Sequence, residues 1–146
     1  MGTMLDGGSV VNPGDGKGYQ LMANLLGFIR LFRCTEDPGY LETVIKGWEQ
    51  IQAKHILVTG GPWTRKMDYN ANRECFAYTE DFDPEKIYVE GCCDATWMQL
   101  NIHLFELTGR ARYMDEAEKT LLNSLYGHQH DDGVKWCYYT MPNQSV

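Results

Sequence analysis

The chemistry in this chain concentrates in "YVEGCCDATW", residues Tyr88 to Trp97, where Glu90 precedes Cys92 by two residues and Cys93 follows directly. In an extended segment, residues two apart share a face. Glu90 and Cys92 would then face one point, and Cys93 would face away. A carboxylate oxygen and a thiolate sulfur are both zinc ligands, but a zinc site needs about four. A cysteine in the first turn of a helix also feels the positive end of the helix dipole, which favours the thiolate. The competing reading makes both cysteines small buried hydrophobes and Glu90 a helix cap.

Sixteen residues upstream, in "NRECF", Glu74 is flanked by Cys75 and Phe76. An apolar neighbourhood raises a carboxyl pKa, as a general acid requires; the alternative is an ordinary surface glutamate. "GHQHDDG" offers His128, His130, Asp131 and Asp132, but its spacing fits no closed zinc site and it reads as a solvated loop. "DFDPEK" lacks the glycine and distal glutamate of a calcium loop, and "GDGKG" lacks the spacing of a phosphate loop. His55 and His103 read as structural, and no Ser-His-Asp arrangement stands out.

The elements that must position these groups are mostly helical. Met22, Leu25, Leu26, Ile29 and Phe32 form one amphipathic stripe. Asp37-Pro38 is an N-cap followed by proline at the first helical position, and Leu41, Val44, Ile45, Trp48 and Ile51 form a second stripe. From Lys54 to Tyr88 the periodicity breaks: "ILVTGGPW" reads as a short strand running into a glycine turn, and Pro84 excludes a regular helix. A third helix is expected from about Asp94 to Thr108, apolar around most of its circumference and ended by Gly109. A fourth carries Met114, Ala117, Leu121 and Leu125 and stops at Gly127, before a turn and a short strand.

"LFRCTEDPGYLETVIKGW" matches "LFELTGRARYMDEAEKTL" at an offset of 73, with Leu31, Phe32, Thr35, Tyr40, Leu41 and Lys46 corresponding to Leu104, Phe105, Thr108, Tyr113, Met114 and Lys119. Both copies read as helix, tight turn, helix. Two αα-hairpins point to a helical array or an α/α toroid. Alone they would leave apolar faces uncovered, so the chain reads as part of a larger ring or as a piece that forms a homodimer.

Bulk composition sets the limits. The chain has 146 residues, of which 43% are hydrophobic and 12% aromatic, enough for one domain with a core. No window approaches the roughly 20 apolar residues of a membrane helix. The net charge of −7 has no offsetting basic cluster and argues against nucleic acid. The first residues lack a signal-peptide pattern, which leans toward a cytoplasmic location, and residues 1–18 read as flexible. Five cysteines, an odd number, argue for reduced or metal-held thiols over a disulfide framework.

The ordered series "VTGG", "ECF", "EGC", "LFELTGRARYMDEAEKTLLNSLYGHQHDDG" and "CYYTMP" resembles the β-L-arabinofuranosidase family, glycoside hydrolase family 127. The resemblance implies residues 1–146 to be part of an (α/α)6 barrel: αα-hairpins with short strands and a long loop between them. It also implies a retaining glycosidase with an unusual site, in which zinc is held by one glutamate and three cysteines, one of them the nucleophile, and a separate glutamate is the acid/base. Metal coordination deprotonates the thiol at neutral pH, in place of the usual carboxylate pair. By motif, Glu74 would be the acid/base, Glu90 and Cys92 two zinc ligands, and Tyr138 and Tyr139 the lining of the sugar site. The family's other two zinc cysteines follow the "YY…P" strand, beyond Val146, and Ala71 stands where many members have histidine. The expectation is a segment of a glycosidase that is inactive alone. Two other readings remain at this stage: a non-catalytic helical repeat module that binds a protein partner, and a metal-free α/α-barrel epimerase or lyase.

Overall fold

The computed structural model describes residues 6–11, 17–65, 75–76 and 87–141. Four helices form two hairpins: α1 (Gly18–Thr35) with α2 (Pro38–Lys54), and α3 (Gly91–Thr108) with α4 (Ala111–Lys119). A π-helical segment, Thr120–Leu125, continues α4. Between the hairpins lie β1 (Trp63–Arg65), β2 (Cys75–Phe76) and β3 (Ile87–Glu90), and β4 (Tyr139–Thr140) follows. The four strands form one antiparallel sheet in the order β2-β1-β3-β4.

The helices arise where the sequence reading placed them, with two shifts. At α2, Asp37 Oδ1 accepts from the Gly39 N–H at 2.9 Å, and Pro38 occupies the first turn. The third helix, expected from about Asp94, begins at Gly91, so both cysteines fall inside its first turn. Likewise the strand expected at the start of "ILVTGGPW" is reduced to one bridge, Ile56 with Pro62, around the expected glycine turn. Gly60 N–H bonds the Leu57 carbonyl at 2.8 Å with φ +93, and β1 starts after it.

The hairpins pack through a common core of Leu21, Met22, Leu25, Ile29, Val44, Trp48, Ile51, Trp97, Leu100, Leu104 and Tyr113. Trp48 stacks on Trp97 at 5.6 Å and meets the edge of Tyr113 at 4.7 Å. Aromatic pairs in these geometries contribute about 0.5–1.5 kcal/mol beyond their buried area. Within the segment read as flexible, Val10 is fully buried in this core, and Gln50 bonds both the Val10 N–H and the Gly8 carbonyl.

The buried face of the fourth helix is rotated from the expected Met114-Ala117-Leu121-Leu125 stripe. Tyr113, Ala117, Thr120 and Ser124 are buried, and Met114 is exposed. The cause is the Gly60-Gly61 turn, which packs against this helix. A Cβ on Gly60 would meet Lys119 and the backbone of Thr120, and one on Gly61 would overlap Asp94 Oδ1 and Ser124 Oγ. Thr120 Oγ1 donates to the Gly60 carbonyl at 2.8 Å. Small hydroxyl side chains and two glycines thus let a loop and a helix approach closely, where leucine would not fit. Among the described residues, no helix is long and apolar enough to cross a membrane.

Candidate metal and sugar site

The site forms where β3 runs directly into α3. Glu90 ends the strand and occupies the N-cap position, yet its side chain makes no capping hydrogen bond. The carboxylate is 1% exposed, so it is a buried acid that does not serve the helix. Cys92 and Cys93 follow within the first turn.

The early helix start corrects one expectation. With the strand ending at Glu90, the two-residue alternation stops there, and a residue three further on rises on the same side of the new helix. Cys93 therefore does not face away. Its fully buried Sγ donates to Glu90 Oε2 at 3.5 Å. The ligand atoms of Glu90, Cys92 and Cys93 all lie within 4.8 Å of one another. Cys34, Cys92, Cys93 and Cys137 are all free thiols.

The two thiols are electrostatically unlike. Hydrogen bonding from Cys93 is the largest influence on Cys92. With help from the Tyr138 hydroxyl it outweighs burial and Glu90, and holds the Cys92 thiol below the usual range. The same bond to Cys92, then burial and the Glu90 charge, push Cys93 well above the usual range. Without metal, Cys92 therefore gives up its proton more readily than Cys93.

Tyr138 and Tyr139 reach this corner through backbone pairing. Glu90 pairs with Tyr139 across β3 and β4, and the Gly91 N–H donates to the Tyr138 carbonyl at 2.9 Å. The Tyr138 hydroxyl is then 3.5 Å from Cys92 Sγ. Its pKa is raised by that contact, followed by Glu90, so the phenol keeps its proton at neutral pH. Tyr139 stands edge-on to both Tyr88 and Tyr138, at 4.8 and 4.6 Å. A pocket of about 270 Å³ opens beside Cys92, lined by Gly91, Leu125, His128, Trp136, Cys137 and Tyr138.

His128 had been read as part of a solvated loop. His130, Asp131 and Asp132 are indeed exposed, but His128 is buried at 1% exposure. Its Nδ1 contacts the Cys137 carbonyl at 2.9 Å, and its Nε2 lies 3.3 Å from both Asp94 Oδ2 and Thr140 Oγ1. The Asp94 contact has ion-pair distance without hydrogen-bond alignment. Burial, the largest influence, pushes the His128 pKa down; Asp94 and the Cys137 carbonyl together outweigh it and raise the pKa overall. His128 thus ties the first turn of α3 to the Cys137–Thr140 segment that leads into β4. Periodicity alone could not reveal this, because the tie depends on a contact between distant elements.

Glu74 lies outside the described residues, and so does "DFDPEK". The structure places Glu90, Cys92, Tyr138 and Tyr139 at one corner, with Cys92 and Tyr138 lining the pocket and Tyr139 outside its lining. It adds Cys93, His128 and Trp136, Cys93 because the helix begins at Gly91 and not near Asp94. Two soft thiol sulfurs and a buried carboxylate within a few ångströms suit zinc.

Paired αα-hairpins with a short antiparallel sheet between them are the architecture of part of an (α/α)6 barrel. Residues 15–146 match the model of the β-L-arabinofuranosidase GH127 catalytic domain, and the chain belongs to that family. Among solved structures, it is similar to a GH127 β-arabinofuranosidase (27% identity, TM-score 0.76, 86% of this chain covered). It is also similar to a GH127 β-L-arabinofuranosidase from Geobacillus stearothermophilus T6 (21%, 0.75, 86%). A third, described as a glycoside hydrolase, shares 19% identity with TM-score 0.72 over 90% of this chain. The chain spans 19% of the length of each of the first two and 24% of the third. No curated protein sequence matches.

Proposed function

We propose that this chain is a segment of a retaining glycoside hydrolase acting on β-L-arabinofuranosides or related sugars, with Glu90 and Cys92 as zinc ligands. The observation that carries this reading is the Glu90 carboxylate. It is buried, does no capping, and lies beside two thiols, of which Cys92 lines a pocket shared with Trp136 and Tyr138. Bound zinc would neutralise charge and keep its thiol ligands deprotonated at neutral pH.

The chain's own groups divide the remaining work. Cys92 is predisposed to the thiolate by the Cys93 and Tyr138 donors and by its place in the first turn of α3. Tyr138 keeps its proton and can donate to a sugar oxygen, Trp136 offers a ring face for the apolar side of a sugar, and Tyr139 supports Tyr138 edge-on. In this reading Glu74 is the acid/base that protonates the departing glycosidic oxygen, and the nucleophilic cysteine comes from the part of the enzyme after the Tyr138–Tyr139 strand.

The reading predicts that the reduced 146-residue chain carries zinc, lost in Glu90→Gln and Cys92→Ser. It also predicts that the chain does not hydrolyse an aryl β-L-arabinofuranoside. Zinc content indifferent to Cys92→Ser would overturn the metal assignment. Hydrolysis by the chain alone, abolished by Glu74→Gln, would overturn the division of the active site.

A further inference from the structure

Tyr138 is 57% exposed, so its ring is not aimed by burial in a core. It stands edge-on to Tyr139, which is itself exposed, and β4 begins only after it. The direction of its side chain is therefore set by the backbone on either side. One flanking peptide is fixed by the Gly91 N–H, which donates to the Tyr138 carbonyl at 2.9 Å. The other is fixed by His128, whose Nδ1 is 2.9 Å from the Cys137 carbonyl. A carbonyl only accepts, so Nδ1 carries a proton and donates it. The backbone returns the contact, since the Cys137 N–H donates to the His128 carbonyl at 2.7 Å. Beyond Tyr138, His128 Nε2 lies 3.3 Å from Thr140 Oγ1. One buried imidazole thus holds the chain on both sides of Tyr138. Its Nε2 also lies 3.3 Å from Asp94 Oδ2, on the helix that carries Cys92.

We propose that His128 is a positioning residue: anchored to α3 through Asp94, it grips Cys137 and Thr140 and so holds the Tyr138 hydroxyl at Cys92, on the pocket. The proposal deepens the functional reading above and rests on it for the purpose that the hydroxyl serves at a sugar; the placement itself stands on the contacts alone. The neighbours that act on the Cys92 thiol are Cys93, Tyr138 and Glu90, and His128 is not among them, so its influence passes through Tyr138. With the backbone fixed on both sides, only the torsions of the tyrosine side chain remain to be ordered when a ligand arrives, which lowers the entropic cost of binding. A hydroxyl that has drifted by an ångström forfeits much of its effect on a reacting group.

The test is the NMR signal of the tyrosine Cζ, which responds to hydrogen bonding of the phenol, in the reduced, metal-free chain labelled at tyrosine. Tyr138 is assigned by the loss of its signal in Tyr138→Phe, and Cys92→Ala marks the position of a released hydroxyl. In His128→Ala the signal should move to that released position. In His128→Asn, whose amide N–H takes the place of the Nδ1–H, it should stay at the wild-type position. A folded His128→Ala chain with the signal unmoved overturns the proposal. So does an equal shift in the asparagine variant, which would reduce His128 to filling space. Coincident signals in the wild type and Cys92→Ala also overturn it, because the hydroxyl is then not held at Cys92. Should His128→Ala fail to fold, Thr140→Val removes one of the two grips and decides the matter: a shift part of the way supports the proposal, and none overturns it. Neither zinc nor sugar is present, so failure here leaves the zinc and sugar reading to its own tests.

Discussion

Glu36 and Gly109, 73 residues apart, end their helices in the same left-handed turn. Their φ values are 59° and 66°, and each N–H donates at 2.8 Å to a phenylalanine carbonyl, Phe32 or Phe105. The side-chain bonds repeat as well: Thr35 to the Leu31 carbonyl at 2.8 Å, and Thr108 to that of Leu104 at 2.6 Å. Even the helix ends meet, because Arg33 pairs with its repeat counterpart Glu106 at 2.7 Å. The left-handed conformation costs a residue with a side chain roughly 1–2 kcal/mol. Glycine avoids that strain but loses part of the gain to greater unfolded-chain entropy. Glu36→Gly is therefore expected to stabilise the chain by about 0.5–1 kcal/mol, and Gly109→Ala to destabilise it by about 1 kcal/mol. Chemical denaturation of both variants checks the pair; a destabilised Glu36→Gly would contradict it.

The two hairpins are also joined by a buried polar contact. Trp48 Nε1 donates to Asn101 Oδ1 at 2.6 Å, and Asn101 Nδ2 donates to the Trp97 carbonyl at 2.9 Å. Replacing Asn101 by leucine strands the indole N–H in the core, at a cost of about 1–3 kcal/mol. Trp48→Phe removes the stranded donor. The double variant should therefore be more stable than the sum of the two single losses predicts, with a coupling of about 0.5–3 kcal/mol. Strict additivity in a double-mutant cycle would show that the bond carries no weight.

Gly61 and Gly27 make an opposed pair. A Cβ on Gly61 would overlap Asp94 and Ser124 and lie 3.0 Å from Val89, whereas one on Gly27, inside α1, meets nothing within 4 Å. Gly27→Ala should stabilise the chain by about 0.5–1 kcal/mol through helix propensity. Gly61→Ala should destabilise by about 1–3 kcal/mol through overpacking, and displace Asp94 at the base of the site. Thermal unfolding of the two variants should move in opposite directions, and equal shifts would refute the close approach.

Much of this was legible in the sequence, because the signals are local. The stripes of α1 and α2, the Asp37-Pro38 cap, the Gly109 stop and the repeat follow from spacing and backbone preference alone. The Glu90–Cys92 pairing was legible too. The position of Cys93 was not, since it turns on whether the chain becomes helical at Gly91 or at Asp94, and glycine followed by two cysteines has no propensity strong enough to decide that. The buried face of α4 was misphased because leucines there suggested a core. The true partner is the Gly60-Gly61 turn, a contact between segments about 60 residues apart that rewards small hydroxyls. His128 was hidden for the same reason: a histidine among acids looks solvated until the Cys137–Thr140 segment folds over it.

The His128–Asp94 clasp predicts a pH dependence of stability. Nδ1 lies at hydrogen-bond distance from the Cys137 carbonyl and Nε2 at ion-pair distance from the Asp94 carboxylate, surroundings that favour the charged ring. Burial opposes the charge, but Asp94 and the carbonyl prevail, so the folded-state pKa lies above the ordinary value. A raised histidine pKa stabilises the fold fully below the unfolded value of about 6.5, where both states are protonated but only the folded one has the partner. That stabilisation is lost as pH rises through the folded pKa. Stability measured by denaturation should therefore fall from pH 6 toward alkaline pH. In His128→Gln the chain should be less stable at pH 6 and the slope should flatten. A wild-type profile that rises over this range, or a slope unchanged in His128→Gln, would show that the ring is held neutral and that the tie between α3 and the Cys137–Thr140 segment rests on its hydrogen bonds alone.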